Sequence, residues 1–145
     1  KKRLVKFNQK LFQVYTNQNR KSEKILHQVK KRSNFKSLFE ISKLTNQFKK
    51  ELISGDLNVL GNLLHENWLL KKSLSNNITN NKIDKLYDYG VKSGAIGGKI
   101  LGAGGGGFLL FFVDHKNHKR FKKSFYKQKI IDFNFYDKGS ELIKI

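Results

Sequence analysis

The stretch Gly97–Val113, GGKILGAGGGGFLLFFV, places seven glycines and one lysine directly before a run of large apolar residues. Its second part, Phe108–Val113, is apolar at every position, which predicts a strand that is buried on both faces or lies in the middle of a sheet. Through Gly104–Gly107 no Cβ restricts the backbone, so the chain can curl and aim several N–H groups at one point. Such a nest of amides suits an anion. The alternative is a tight helix-to-strand connection that uses glycine only for close packing.

Other glycine-rich motifs are excluded by their context. GAGGGG, residues 102–107, matches G-x-G-x-x-G, but dinucleotide-binding folds place a strand before the glycines and a helix after them. Here we predict a helix before and a strand after. A P-loop would require glycine where Ser93 stands and a hydroxyl where Ile100 stands. A protein-kinase glycine loop would require a nucleotide-contacting lysine in the following strand, and FLLFFVD contains none.

The rest of the chain predicts an α+β fold. Apolar residues alternate in the strands and recur three and four apart in the helices. The predicted elements are, in order, the strand Leu11–Thr16, the helices Ser22–Val29, Leu38–Leu52, Leu60–Leu74 and Lys82–Val91, the strand Phe108–Val113, the helix Lys116–Gln128 and a hairpin of Ile130–Tyr136 and Glu141–Ile145. This order predicts one domain, residues 1–145, in which helices pack on one face of an antiparallel sheet of about four strands.

Composition limits the classes of function. The chain carries 30 basic and 11 acidic residues, a net charge of +19, which raises the hypothesis of a free-standing basic module for nucleic acid or another polyanion. Only four of the basic residues are arginine, the side chain that base-edge recognition favours, so we interpret most of the charge as solvated surface. Cysteine is absent, which excludes disulfides and thiolate metal sites and suits a cytoplasmic protein. The sequence contains neither a run of 18 apolar residues nor a signal peptide, so we expect no membrane partner.

Four segments together resemble one known family. GAIGGKILGAGGGGFLLFF, residues 94–112, resembles the third signature motif of the GHMP kinases, and more closely that of the D-glycero-D-manno-heptose 7-phosphate kinases and related sugar kinases. YTNQNRKSEKIL, residues 15–26, is similar to the family's strand-to-helix segment, with Asn17 in place of its glycine and Ser22 in place of its alanine. GNLLHENWLLKKSLS, residues 61–75, and FNFYDKGSELI, residues 133–143, resemble a heptose-kinase helix and the family's terminal hairpin.

The resemblance implies a ferredoxin-like second domain of a two-domain enzyme. In the family, the first domain carries the P-x-x-x-G-L-G-S-S phosphate loop and the acidic catalytic residue, and neither occurs in this chain. The resemblance therefore implies no catalytic residue here, and it implies that ATP and Mg²⁺ are bound mainly by an N-terminal domain of the same protein. The expected partners are that domain, ATP and a sugar phosphate.

The glycine loop is the predicted phosphate or substrate loop. It consists of Gly102, Ala103, Gly104, Gly105, Gly106 and Gly107. Lys99 stands directly before it, where negative charge would collect, and phosphoryl transfer depends on charge neutralisation. A solvated or carbonyl-bound lysine is the alternative at this position.

Three further side chains are candidates for binding the substrate. Arg20 follows the first strand and has the guanidinium fork that suits a sugar phosphate. Lys71, or its neighbour Lys72, is expected to face the pocket. His65 can donate or accept a hydrogen bond at a sugar hydroxyl, with a purely structural histidine as the alternative. No group of His, Asp and Glu has the spacing of a metal site, so we expect no metal ligands in the chain.

Overall fold

The structure, a computed structural model, describes residues 2–19, 25, 27, 29, 35–135 and 139. Its elements are the helix α1 (Lys2–Gln9), the strand β1 (Leu11–Tyr15), the helices α2 (Phe35–Ser54), α3 (Leu57–Ser73) and α4 (Asn81–Lys92), the strands β2 (Ala95–Ile100) and β3 (Phe108–Val113), a 3₁₀ turn (His115–Asn117), the helix α5 (His118–Ser124) and the strand β4 (Ile130–Ile131). The strands form one antiparallel sheet in the order β2-β3-β1-β4. The predicted strand Glu141–Ile145 and most of the predicted helix Ser22–Val29 lie outside the described residues.

Strand β3 carries the core on both of its faces. Leu109, Phe111 and Val113 join one buried cluster, whereas Leu110 and Phe112 pack in another, because successive side chains of a strand point to opposite faces. Helices α4 and α5 contribute to the first cluster, together with Trp68 of α3 and Ile41 of α2. Helix α1 and most of the buried apolar residues of α2 and α3 contribute to the second. The α+β class and the antiparallel sheet of four strands are confirmed, and so is a doubly buried central strand. The sequence predicts helices on one face of the sheet only. The structure has helices on both faces, because α4 and α5 cover the second one.

The sequence pattern does not predict β2, because Gly97 and Gly98 lower the strand propensity of this segment. Its formation depends on packing. Helix α3 lies so close to β2 that a Cβ at position 97 would clash with the carbonyl oxygen of Gly61 and would lie 2.9 Å from the Cβ of His65. Since β2 leads directly into the glycine loop, the loop is the turn of a β2–β3 hairpin, and the expectation of a helix before it is wrong.

The short helix α1 is also missing from the sequence prediction. It is fixed by contacts with distant residues: the guanidinium of Arg3 donates hydrogen bonds to the carbonyl oxygens of Glu51 and Leu52 at 3.0 Å and of Gly55 at 2.6 Å. Glu51 and Leu52 belong to the last turn of α2, and Gly55 directly follows this helix. Carbonyl groups at a helix C-terminus commonly take partners from outside the helix. Phe7 anchors the other face of α1 in the core.

Candidate functional site

The glycine loop is held in a backbone conformation that favours glycine. Four of its residues have positive φ: 66° at Gly102, 107° at Gly104, 73° at Gly105 and 82° at Gly107. A side chain at these φ values meets steric resistance from its own backbone. These positions therefore require glycine for their backbone conformation, so the glycine-rich composition of the loop has a structural cause.

Two neighbouring segments hold the loop in place. The amide of Gly105 donates to the carbonyl oxygen of Ile78 at 2.8 Å, and the amide of Gly107 donates to that of Gln18 at 2.9 Å. The carbonyl oxygen of Gly107 in turn accepts from both the amide and the hydroxyl of Thr16, at 2.9 and 2.8 Å. The loop is thus clamped between the end of β1 and the α3–α4 connection. Two of its amides are engaged within the chain, so fewer amides are available to an anion than the six small residues of the loop suggest.

One open cavity is lined by the clamped loop itself, and a second is lined by the segments that clamp it. One, of about 300 Å³, is lined by Asn19 and by Leu101–Gly107 without Gly105. The other, of about 470 Å³, has a lining of carboxamides, a hydroxyl and one ammonium group, from Gln18, Asn76, Asn77, Thr79, Asn80, Asn81 and Lys82. Carboxamides both donate and accept hydrogen bonds. Most of this lining comes from SNNITNN, residues 75–81, and the run of amide side chains in this segment is the sequence signal that could have identified the cavity.

Lys71 is the predicted lysine that contacts the loop. Its ammonium group donates to the carbonyl oxygen of Gly102 and, at 3.4 Å, to that of Ile100. Burial, and secondly the positive charge of Lys99, lowers the pKa of Lys71 to about 8. The group is therefore still mainly protonated at neutral pH. Its neighbour Lys72 points elsewhere, to Asp84 at 3.4 Å and over the ring of Trp68.

Lys99 lies near enough to Lys71 to lower its pKa, and its ammonium group binds a side chain. Its ammonium group donates to the side-chain oxygen of Asn67 at 2.5 Å, and burial lowers its pKa. Within the described part of the chain, neither lysine has a carboxylate at ion-pair distance. Two partly buried ammonium groups without counter-charges make this region attractive to an anion.

His65 joins three elements of the fold. Its Nδ1 lies 2.7 Å from the hydroxyl of Tyr87, which donates to the carbonyl oxygen of Gly98 at 3.3 Å. The two rings are stacked with centroids 5.9 Å apart. Burial raises the pKa of the Tyr87 hydroxyl, so it stays a neutral donor in this network. These contacts tie α3 and α4 to β2 and fit the structural alternative for His65. Arg20, the remaining candidate, lies outside the described residues.

Among the residues that the structure describes, no three His, Cys, Asp or Glu side chains come together as a metal site. Each helix within the described ranges is too short or too polar to cross a membrane.

A glycine-rich β2–β3 hairpin, a preceding pair of helices and a lysine that binds the loop together characterise this domain. Residues 48–131 match the family model described as GHMP kinases C terminal. The chain belongs to the GHMP kinase family. This match runs from the end of α2 to β4 and includes the whole glycine loop, so the resemblance to the GHMP kinases is confirmed.

Curated relatives of this GHMP kinase domain are themselves kinases. The D-glycero-alpha-D-manno-heptose 7-phosphate kinase of Campylobacter jejuni is 33% identical over 95 residues, which are 64% of this chain and 28% of that enzyme. The mevalonate kinase of Methanocaldococcus jannaschii is 32% identical over 129 residues, which are 88% of this chain and 39% of that enzyme. The chain therefore spans less than two fifths of either relative.

A solved structure shows the same fold. The crystal structure of L. major mevalonate kinase in complex with R-mevalonate superposes with a TM-score of 0.72 at 23% identity, covering 81% of this chain and 37% of that one. At this identity the likeness concerns the fold. The relatives are named for two different acceptors, a heptose phosphate and mevalonate, so the family alone leaves the acceptor open.

Proposed function

We propose that this chain is the C-terminal half of an ATP-dependent sugar kinase that phosphorylates a heptose phosphate. It contributes the glycine loop and part of the acceptor pocket, and it is inactive alone. The observation that carries the proposal is the glycine loop clamped by hydrogen bonds from Gly105 and Gly107, with one open cavity lined by the loop and another lined by the segments that clamp it. A loop that is held rigid and still open can position a reacting group, and positioning is a main source of catalysis in phosphoryl transfer.

The lining of the larger cavity favours a polyhydroxylated acceptor. Its carboxamides, among them Gln18 and Asn81, match the alternating donors and acceptors of sugar hydroxyls. The ammonium groups of Lys82 in this cavity and Lys71 at the loop offer positive charge for a phosphate on the sugar. Mevalonate, with its short hydrocarbon body, makes less use of such a lining.

Lys71 has a defined part in this proposal. It holds Gly102 by its carbonyl oxygen and carries a positive charge at neutral pH. It therefore fixes the start of the loop and stabilises negative charge that collects beside it.

MgATP would supply the transferred phosphoryl group. The described residues do not fit a metal site of their own, because they contain no group of three acidic or imidazole side chains. We therefore propose that MgATP is held mainly by an N-terminal domain of the same protein, which also supplies the acidic catalytic residue. The complete enzyme is proposed to work in the cytoplasm.

The test is a kinase assay on the complete natural polypeptide that contains this chain. ATP consumption is measured with heptose 7-phosphate, galactose, fucose and mevalonate as acceptors. We expect the highest kcat/KM with heptose 7-phosphate. Turnover of mevalonate alone would contradict the sugar acceptor while leaving kinase activity in place, and absence of turnover with every acceptor would contradict the proposed function.

A matched pair of variants tests the site. Lys71→Met is expected to lower kcat/KM about tenfold or more, since single groups that stabilise transition-state charge are worth about 10²–10³-fold. Lys72→Met removes the adjacent lysine, which pairs with Asp84 and lies over the ring of Trp68, and it is expected to change kcat/KM little. Equal losses in the two variants would contradict a specific role for Lys71.

A further inference from the structure

A third cavity, of about 210 Å³, lies between α2 and α3, and its lining contains no residue of the glycine loop. Most of its wall is hydrocarbon or aromatic, from Leu44, Phe48, Leu63 and Leu64. Its volume is below the roughly 300–1,000 Å³ of sites for drug-sized ligands. It therefore suits a smaller molecule with an apolar body.

One end of this cavity is polar and positively charged. It is formed by Lys99 and Asn67, whose side chains are bonded to each other at 2.5 Å. The lysine uses the oxygen of the Asn67 amide, which leaves the NH₂ group of the same amide as a donor. The ammonium group has further protons to donate, and none of the described carboxylates pairs with it. This end thus presents two adjacent donors and an uncompensated charge, but no acceptor with a negative charge.

We propose that the α2–α3 cavity binds a small aliphatic carboxylate, with its two oxygens on Lys99 and Asn67 and its hydrocarbon body against the leucines and Phe48. A carboxylate has two acceptor oxygens in one plane, which matches two neighbouring donors. A phosphate dianion fits less well, because removing a double charge from water beside apolar walls costs more than removing a single one. A neutral hydrocarbon would leave the charge of Lys99 uncompensated.

This cavity is linked to the glycine loop by charge. The positive charge of Lys99 contributes to lowering the pKa of Lys71, whose ammonium group binds Gly102. A carboxylate on Lys99 would neutralise that charge and raise the pKa of Lys71. The titration of Lys71 therefore reports on the charge beside Lys99, whatever the acceptor of the kinase is.

The experiment is an NMR titration of the purified chain with hexanoate, hexylammonium and inorganic phosphate. The methyl signals of Leu44, Leu63 and Leu64 report binding. We expect saturable shifts with hexanoate and none with the other two. Lys99→Met and Asn67→Leu should each weaken hexanoate binding about tenfold or more, equivalent to about 1.4 kcal/mol. Lys49→Met, which removes an exposed lysine from α2, is the matched control and should bind as the wild type does.

Three results would overturn the proposal. Shifts with hexylammonium equal to those with hexanoate would mean that only the hydrocarbon is recognised. Shifts with phosphate equal to those with hexanoate would mean that the apolar wall has no part in binding. Both comparisons use the wild-type chain, so they remain decisive if a variant fails to fold. The third result concerns Lys71: its titration midpoint should rise when hexanoate saturates the chain. An unchanged midpoint would show that the carboxylate does not lie on Lys99.

Discussion

Glycines serve two different purposes in β2 and in the loop that joins it to β3. In β2, Gly97 has no positive φ but lies against α3, where a Cβ would clash with the backbone of Gly61. In the loop, Gly102 and Gly107 have positive φ but have open space where a Cβ would lie. The first glycine is needed for packing and the others for conformation. Gly104 combines both, since its φ is 107° and a Cβ there would lie only 2.8 Å from the carbonyl oxygen of Ile78.

Glycine is therefore required in this hairpin for two separate reasons, close packing and backbone conformation. Packing glycines determine whether the domain forms, because they allow a helix and a strand to approach. Conformational glycines determine the shape of the loop and hence of the two cavities beside it. Alanine substitutions distinguish them, since each adds the same methyl group in a different setting.

The largest effect is expected from Gly97→Ala. The added methyl group meets the backbone oxygen of Gly61, which cannot move unless α3 shifts away from β2. Overpacking of this kind costs about 2–3 kcal/mol of the free energy of unfolding. Urea unfolding followed by the fluorescence of Trp68, the one tryptophan and fully buried, measures the loss. A loss no larger than that of Gly102→Ala would contradict the packing role.

The next largest effect is expected from Gly104→Ala. Its backbone conformation and its contact with Ile78 together should lower the free energy of unfolding by about 2 kcal/mol. It should also weaken the hydrogen bond from the Gly105 amide to Ile78. Hydrogen exchange of that amide should therefore become faster. Gly107→Ala, at a similar positive φ but with open space, is the control and should cost less. Equal losses would show that the contact with Ile78 adds nothing.

The sequence predicts the parts of this fold that depend on local patterns. Six consecutive apolar residues predict β3, and the recurrence of leucines predicts α2 and α3. The N-terminal end of α3 is likewise local, because Asp56 accepts a hydrogen bond from the amide of Asn58 at 2.9 Å. By contrast, β2 depends on its contact with α3, and α1 on bonds from Arg3 to α2. These are tertiary interactions. The local sequence does not indicate them, because β2 contains two glycines and α1 consists of only eight residues of mixed polarity.

The candidate site is predictable to a similar degree. The glycine loop and Lys71 are recognisable as candidates from sequence, but the choice between Lys71 and Lys72 is not. Adjacent helical residues point about 100° apart, at 3.6 residues per turn, and only the packing of α3 decides which one reaches Gly102. The direction of Lys99 toward Asn67, and with it the α2–α3 cavity, follows from the same packing.

A smaller loss, about 1 kcal/mol, is expected from Gly102→Ala. Its φ of 66° lies in the left-handed region, and nothing occupies the space around its Cβ position. Asparagine tolerates this region better than alanine, so Gly102→Asn should be more stable than Gly102→Ala in the same urea experiment. If the two variants were equally stable, φ would not be the constraint at this position.

The pH dependence of stability tests the contact between Lys71 and the loop. In the folded chain the pKa of this lysine is lowered from 10.5 to about 8, mainly by burial. Between these two values the unfolded chain binds more protons at this position than the folded chain does. The free energy of unfolding therefore rises with pH in that window. Below pH 8 the lysine is protonated in both states, and above pH 10.5 it is neutral in both, so its contribution is constant there.

The measurement is the difference in melting temperature between the wild type and Lys71→Met from about pH 7 to 11, since groups common to both proteins largely cancel. The wild type should gain stability relative to the variant as pH rises through the window. A flat difference would mean that Lys71 is as well solvated as it is in the unfolded chain. Its ammonium group would then not be held at Gly102, and the loop would lack the side-chain contact that distinguishes its first glycine from those in β2.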